Sequence, residues 1–240
     1  MTHSAFIIKA SLGSPISFRN PISFDSLVLA GRFASDPETF GRPLDCIAMR
    51  DGVYRASVGF VEGVPMLGVQ ETVHARPKRL HLIGRDGDET VIPTGKVKNA
   101  ASIDNKSLMR PQLNKFQVYT HASAMYWQAL GDAEQCLEYL WYVNGVGAMR
   151  NCGYGSVTEW TVLDCDASDD EAGLFGASGQ PIRKLPRAWA RTEPSAEILV
   201  DRGRMEPPFA LSDDVEDLMI LPNSYVIGQH DRIAQELKIA

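Results

Sequence analysis

No apolar run in this chain approaches the ~18 residues that a membrane-spanning helix needs. The first residues carry no leader pattern of positive charge followed by an apolar stretch, so a cytoplasmic location is expected. The four cysteines, Cys46, Cys136, Cys152 and Cys165, are scattered and form no C-x-x-C pair. That spacing argues against a zinc site and reads as a set of reduced thiols. A phosphate-binding G-x-x-x-x-G-K-[ST] run is absent, as are internal repeats and low-complexity tracts. The net charge of −6 excludes a bulk polycation. No cofactor and no metal is implied by any of these features. At 240 residues the chain is long enough to bury a proper core as one large domain or two small ones.

The most specific feature present is Gly145-Val146-Gly147-Ala148-Met149-Arg150-Asn151-Cys152-Gly153-Tyr154-Gly155, two G-x-G pairs five residues apart. Each glycine costs about 0.5–1 kcal/mol relative to alanine wherever ordinary backbone would serve. Such residues are kept for positive φ or for the close approach of another group. Before the loop, residues 131–143 read as a helix with Asp132 as N-cap and Cys136, Leu137, Leu140, Trp141 and Val143 as its apolar face. After it, Ser156 to Leu163 alternates and is rich in β-branched and aromatic residues, which predicts a strand. Helix, glycine loop, strand is the reverse of a dinucleotide fingerprint, which places the pyrophosphate on a helix N-terminus. A helix C-terminus repels phosphate instead. A C-cap glycine and a tight turn account for Gly145 and Gly147. They leave the second pair, and Arg150, Asn151 and Tyr154 around it, without a reason. The expectation is that Gly145 has positive φ at the helix end. Gly155 is expected to be a ligand contact without backbone strain.

Elsewhere the pattern predicts a first strand over 5–12 and a helix from Phe24 to Ala34, stopped by Ser35-Asp36-Pro37. Tyr54–Phe60 and Met66–Val73 read as a hairpin turning at Glu62-Gly63 and Pro65. An insertion is expected over about 74–115, then a strand from Gln112 to Tyr119. From Gly173 onward, proline and glycine predict an irregular C-terminal extension, packed on the domain formed by residues 1–172 and without a core of its own.

Charge is unevenly placed. Between Glu71 and Lys115 nine Lys/Arg face five acids, a local +4 that leaves −10 for the rest. His74, Arg76, Lys78, Arg79 and His81 cluster there, with Lys96 and Lys98 beyond. A second basic group, Arg183, Lys184, Arg187 and Arg191, interleaves with Trp189. Basic patches in an acidic chain point to a polyanion partner on one face. The run Asp164 to Glu171 reads as an exposed acidic loop after the fourth strand, without the glycine and ligand spacing of a calcium loop.

The doubled glycine loop resembles that of the RAMP superfamily of CRISPR-associated RNA-binding proteins. There G-x-G-x(5)-G-x-G lies between the second helix and the fourth strand. Gly145, Gly147, Gly153 and Gly155 match in spacing and in place. Pro21 to Ala30 is similar to the segment in which an apolar residue and Asp lead into the first helix, and Gly179 to Pro186 to the basic segment after the fourth strand. Among the branches, the chain looks most like the Cas-five-like subunit of type IV complexes.

The resemblance implies an α+β fold, a ferredoxin-like (RRM-like) βαββαβ domain with the basic insertion and the C-terminal appendage. It implies a non-catalytic guide-RNA-binding subunit that holds the 5′ handle and caps the backbone filament, with RNA and other effector subunits as partners. RNA would contact Gly145, Gly147, Arg150, Asn151, Gly153, Tyr154 and Gly155, with Arg76, Lys78, Arg79, His81, Lys96, Lys98, Arg183, Lys184 and Arg187 supplying charge. Two alternatives remain at this point: a metal-independent endonuclease of CRISPR precursor RNA, and an RRM-like RNA binder outside CRISPR. The nuclease needs an acid and a base, with His3, His74, His81, His121 and His230 as the histidines available. The predicted first helix holds none, which favours a binder.

Overall fold

A computed structural model describes residues 3–18, 20–39, 41–77, 109–148, 150, 153–189, 199–203, 216–221 and 226–240. The alternation Phe6, Ile8, Ala10 against Ile7, Lys9 makes strand β1, Ser4–Leu12, two-sided. It pairs antiparallel with β6, Met109–Gly131, on one side and with β7, Val157–Asp164, on the other. Strand β5, Phe60–Pro77, lies beyond β6. The short β11, Ile227–Gly228, adds to β5 in parallel at Val61 and Glu62. The sheet order is therefore β11-β5-β6-β1-β7, with β2, Ile16–Ser17, also attached to β6. A separate two-stranded hairpin, β3 (Met49–Arg50) and β4 (Val53–Tyr54), precedes β5. The architecture is mixed α+β with a mostly antiparallel sheet.

Helix α1, Phe24–Ser35, and helix α2, Ala133–Leu140, pack on each other and on one face of that sheet. The ring contacts Phe6–Phe24, Phe24–Trp127 and Trp127–Trp160 mark this face. Asp132 caps α2 as expected, its Oδ1 accepting from Gln135 N at 3.0 Å. The helices approach closely at Gly31, where a Cβ would lie 2.2 Å from Tyr139 O.

The opposite face is covered around Gln128. Helix α3, His230–Leu237, and the segment around 165–183 lie on it. Buried Gln128 ties them to β6. Its Nε2 donates to Leu237 O at 2.6 Å and its Oε1 accepts from Gly173 N at 2.8 Å. The C-terminal part is thus more regular than its proline and glycine content suggests. It holds β8 (Leu185–Pro186), β9 (Leu199–Gly203) and β10 (Glu216–Ile220), joined in the order β8-β10-β9. Leu174, Phe175, Leu185 and Met219 form a small cluster with Val53.

Two other expectations are corrected. No turn interrupts residues 60–77, which form one strand through Gly63 and Pro65. Strand β6 runs on to Gly131, so His121 lies within a strand rather than at its end. Residues Val69–Phe116 make a second compact unit that contains the expected insertion, and residues 78–108 of it lie outside the described residues.

Arg183 is buried, with 2% of its side chain exposed, so it is not an RNA contact. Its Nη2 lies 3.3 Å from Asp25 Oδ2, and Asp25 is fully buried in the first turn of α1. Nη1 donates to Tyr54 O and, at 3.2 Å, to Ala56 O; Nε donates to Lys184 O at 3.2 Å. A guanidinium can be buried here because a carboxylate and three carbonyls take its donors. Removing one partner strands the other charge. We expect Arg183→Ala to destabilise the fold by about 3–5 kcal/mol in urea melts. An effect no larger than that of a surface substitution would contradict the buried pair.

Candidate functional site

The glycine loop is stitched to the turn after β1. Gly155 N donates to Pro15 O (2.8 Å), Val146 N to Gly155 O (2.8 Å), Ala148 N to Ser17 O (2.6 Å) and Ser156 N to Ser14 Oγ (2.8 Å). Gly13 N returns a bond to Ser156 O at 2.9 Å.

Two of the glycines exist for this seam. Gly147 has φ +86°, and a Cβ there would lie 2.4 Å from Ser17 O. Gly155 has φ +64°, and its Cβ would meet Val146 O at 1.8 Å. Gly155 is therefore a structural glycine, contrary to the expectation of a simple ligand contact. Gly145 is not a left-handed cap, because α2 stops at Leu140 with Trp141 in right-handed conformation as its C-cap. Gly145 instead bridges to Ser156 in the strand manner.

Gly153 differs. It has φ +85°, and among the described residues, its chain neighbours aside, no heavy atom lies within 4 Å of where a Cβ would stand. Its N–H donates to Arg150 O at 3.0 Å, closing a turn whose outer side is open. Arg150 is exposed, its Nη1 reaching Gly145 O at 3.4 Å, and Tyr154 is half-buried. The N–H groups of Val146, Ala148, Gly153 and Gly155 are all taken by protein carbonyls. They do not form an N–H cradle for a phosphate. A ligand at this loop meets the bare turn at Gly153 and the side chains of Arg150 and Tyr154.

Of the other expected site residues, Arg76 belongs to β5. Lys78, Arg79, His81, Lys96, Lys98 and Asn151 lie outside the described residues. Lys184 is half-buried, and Arg187 is exposed in a short 3-10 turn, Arg187–Trp189, where Trp189 stacks under Arg50 at 5.4 Å. Among the described residues no group of His, Cys, Asp and Glu is arranged to hold a metal.

A cluster that sequence reasoning misses sits where α3 meets the sheet. The Glu62 carboxylate accepts from Tyr126 Oη, from Ser123 Oγ at 3.1 Å and pairs with His230 Nδ1 at 3.2 Å. Lys9 Nζ lies 5.7 Å from the centre of the Tyr126 ring. Burial alone would raise the Glu62 pKa, but the bonds from Tyr126, Ser123 and His230 outweigh it and hold the group below its ordinary 4.5. Burial, and then the Glu62 carboxylate, raise the Tyr126 phenol. His230 follows Glu62 by 168 residues, so only the fold brings them together.

Compared with known proteins, the chain matches no protein-family model and no curated protein.

Two outcomes are expected. Gly155→Ala and Gly147→Ala should each lower stability by more than about 1 kcal/mol, because Cβ meets a carbonyl and φ is positive. Gly153→Ala should cost only what positive φ costs, about 1 kcal/mol. Equal melts for all three would contradict the seam. On acidification the unfolded state takes up the Glu62 proton first, so the stability from Glu62 is present above about 4.5 and lost as pH falls through the lower folded value. The melting difference between the parent and Glu62→Gln should therefore be full at neutral pH and shrink in acid. A difference that grows in acid would contradict this.

Proposed function

We propose that this chain is a non-catalytic RNA-binding subunit of a CRISPR ribonucleoprotein, holding the 5′ handle of a guide RNA and capping a filament of backbone subunits. The observation that carries the reading is the doubled glycine loop between α2 and β7, with its open turn at Gly153 beside exposed Arg150 and half-buried Tyr154. Strand order supports it. The four long strands stand second-third-first-fourth, with helices after the first and the third, an order that agrees with the ferredoxin-like domain the reading calls for.

Around β1 and the described end of β6 both sheet faces carry packed elements, so in this reading RNA does not lie on the sheet as it does in a single RRM. It meets side chains instead: Arg150 for phosphate, Tyr154 for stacking, and the Lys and Arg residues of the insertion for charge. The fully buried Arg183 contributes to the fold and not to binding.

A second reading is favoured by the Glu62–His230 pair. A carboxylate on Nδ1 leaves Nε2 as the proton-transfer atom. His230 is 52% exposed, and its Nε2 has no bond partner among the described residues. That arrangement suits the acid–base step of metal-independent RNA cleavage. The binder reading ranks first, because the glycine loop and the strand order both support it.

Replacing Arg76, Lys78 and Arg79 together by alanine should weaken binding to repeat RNA. It should flatten the plot of log K against log salt by about 0.7 for each phosphate no longer neutralised. Tyr154→Ala should cost about 1–3 kcal/mol if it stacks on a base. Unchanged slopes and affinities would leave these residues as ordinary surface. The parent chain should leave repeat RNA intact with or without magnesium. Specific scission that His230→Ala abolishes, with binding retained, would make the second reading correct.

A further inference from the structure

The face of α2 turned away from the sheet carries an acidic and aromatic stripe. Glu134, Leu137, Glu138 and Trp141 stand at i, i+3, i+4 and i+7 and so share one side of the helix. With Tyr139 and Tyr142 they line an open cleft of about 710 Å³ that reaches Ser35 at the end of α1. Trp141 is 85% exposed and Tyr142 55%. Neither holds the core together, and a large exposed indole at a helix end is an unusual thing to leave in water.

The chemistry of the stripe selects a cation. Among the described residues neither Glu134 nor Glu138 has an ion-pair partner. From Phe116 to Met149 the sequence contains no Lys or Arg at all. The carbonyl end of α2 lies at Trp141, and its partial negative charge attracts a cation. The faces of Trp141 and Tyr142 do the same. The two carboxylates and the carbonyl end of the helix repel a phosphate backbone, so this surface is distinct from the RNA-contacting residues proposed above.

We propose that this cleft is a docking site for a segment of a partner protein that carries arginine or lysine beside an apolar side chain. The cation lies against Trp141 and pairs with Glu134 or Glu138, while the apolar side chain fills the floor at Leu137. Docking here does not depend on RNA binding, and the two stand or fall separately.

The test uses the full chain and a fluorescent synthetic peptide in which arginine and leucine recur at helical spacing, with a counterpart in which glutamate replaces arginine. The arginine peptide should bind and the glutamate peptide should not. Trp141→Ala, and separately the double substitution Glu134→Lys with Glu138→Lys, should each weaken binding by about tenfold or more. The charge-reversed chain should gain affinity for the glutamate peptide. These side chains are exposed, so thermal melts should show both variants cooperatively folded at the assay temperature, with at most the small loss that a cation in the first turn of α2 brings, which excludes misfolding as the cause. Failure of the arginine peptide to bind, or equal affinity for parent and variants, would overturn the proposal. So would self-association of the chain that Trp141→Ala abolishes, because the occupant would then be a second copy.

Discussion

The buried pair of Asp25 and Arg183 is the constraint around which the rest of the chain is arranged. Asp25 sits in the first turn of α1, where a carboxylate suits the helix dipole, and it is fully buried. Arg183 comes from 158 residues later and spends its other donors on the carbonyls of Tyr54, Ala56 and Lys184. One side chain thus fixes the start of a helix, the segment leading into β5 and the segment after β7. Neither charge is tolerable alone in that setting, so the C-terminal residues cannot be lifted away without exposing an orphan carboxylate. Gln128 performs the neutral version of the same task on the opposite sheet face, with Gly173 and Leu237 as its partners.

Elements pack on both faces of the sheet around β1 and the described end of β6. A four-stranded sheet with one bare face offers aromatic rings to bases. Here the buried Tyr126 is turned into a hydrogen-bonding cluster with Glu62 and His230 instead. What remains exposed divides by charge. The turn at Gly153 stands beside exposed Arg150. The outer side of α2 is acidic and aromatic.

Local signals in the sequence predict local structure well. The apolar alternation of β1, the proline that ends α1, the Asp132 cap and the β-branched run of β7 each declare themselves within a few residues. The turn signal at Gly63 and Pro65 misleads for a topological reason. The Val61 N–H points to β11, and by alternation the nitrogen of residue 65 points to the same edge, beyond where β11 ends at Gly228. At that position a missing N–H costs the ladder nothing, so proline is tolerated within the strand. Arg183 misleads because a basic residue between prolines looks solvated until its partner 158 residues away is known. The glycine loop is legible as a loop, but sequence does not say that Gly147 and Gly155 make room for the chain's own carbonyls. The Glu62–Tyr126–His230 cluster leaves no sequence signal at all, since its members come from three distant elements.

The claim that RNA meets this chain at the glycine loop and the basic insertion is tested most directly by ultraviolet cross-linking. The full chain is irradiated with repeat RNA and the attached peptides are mapped by mass spectrometry. The account predicts cross-links on the peptide containing Tyr154 and on peptides within 74–115, and none on the peptide containing Trp141 and Tyr142. Cross-links confined to the Trp141 surface, or no saturable cross-link at the glycine loop, would contradict it.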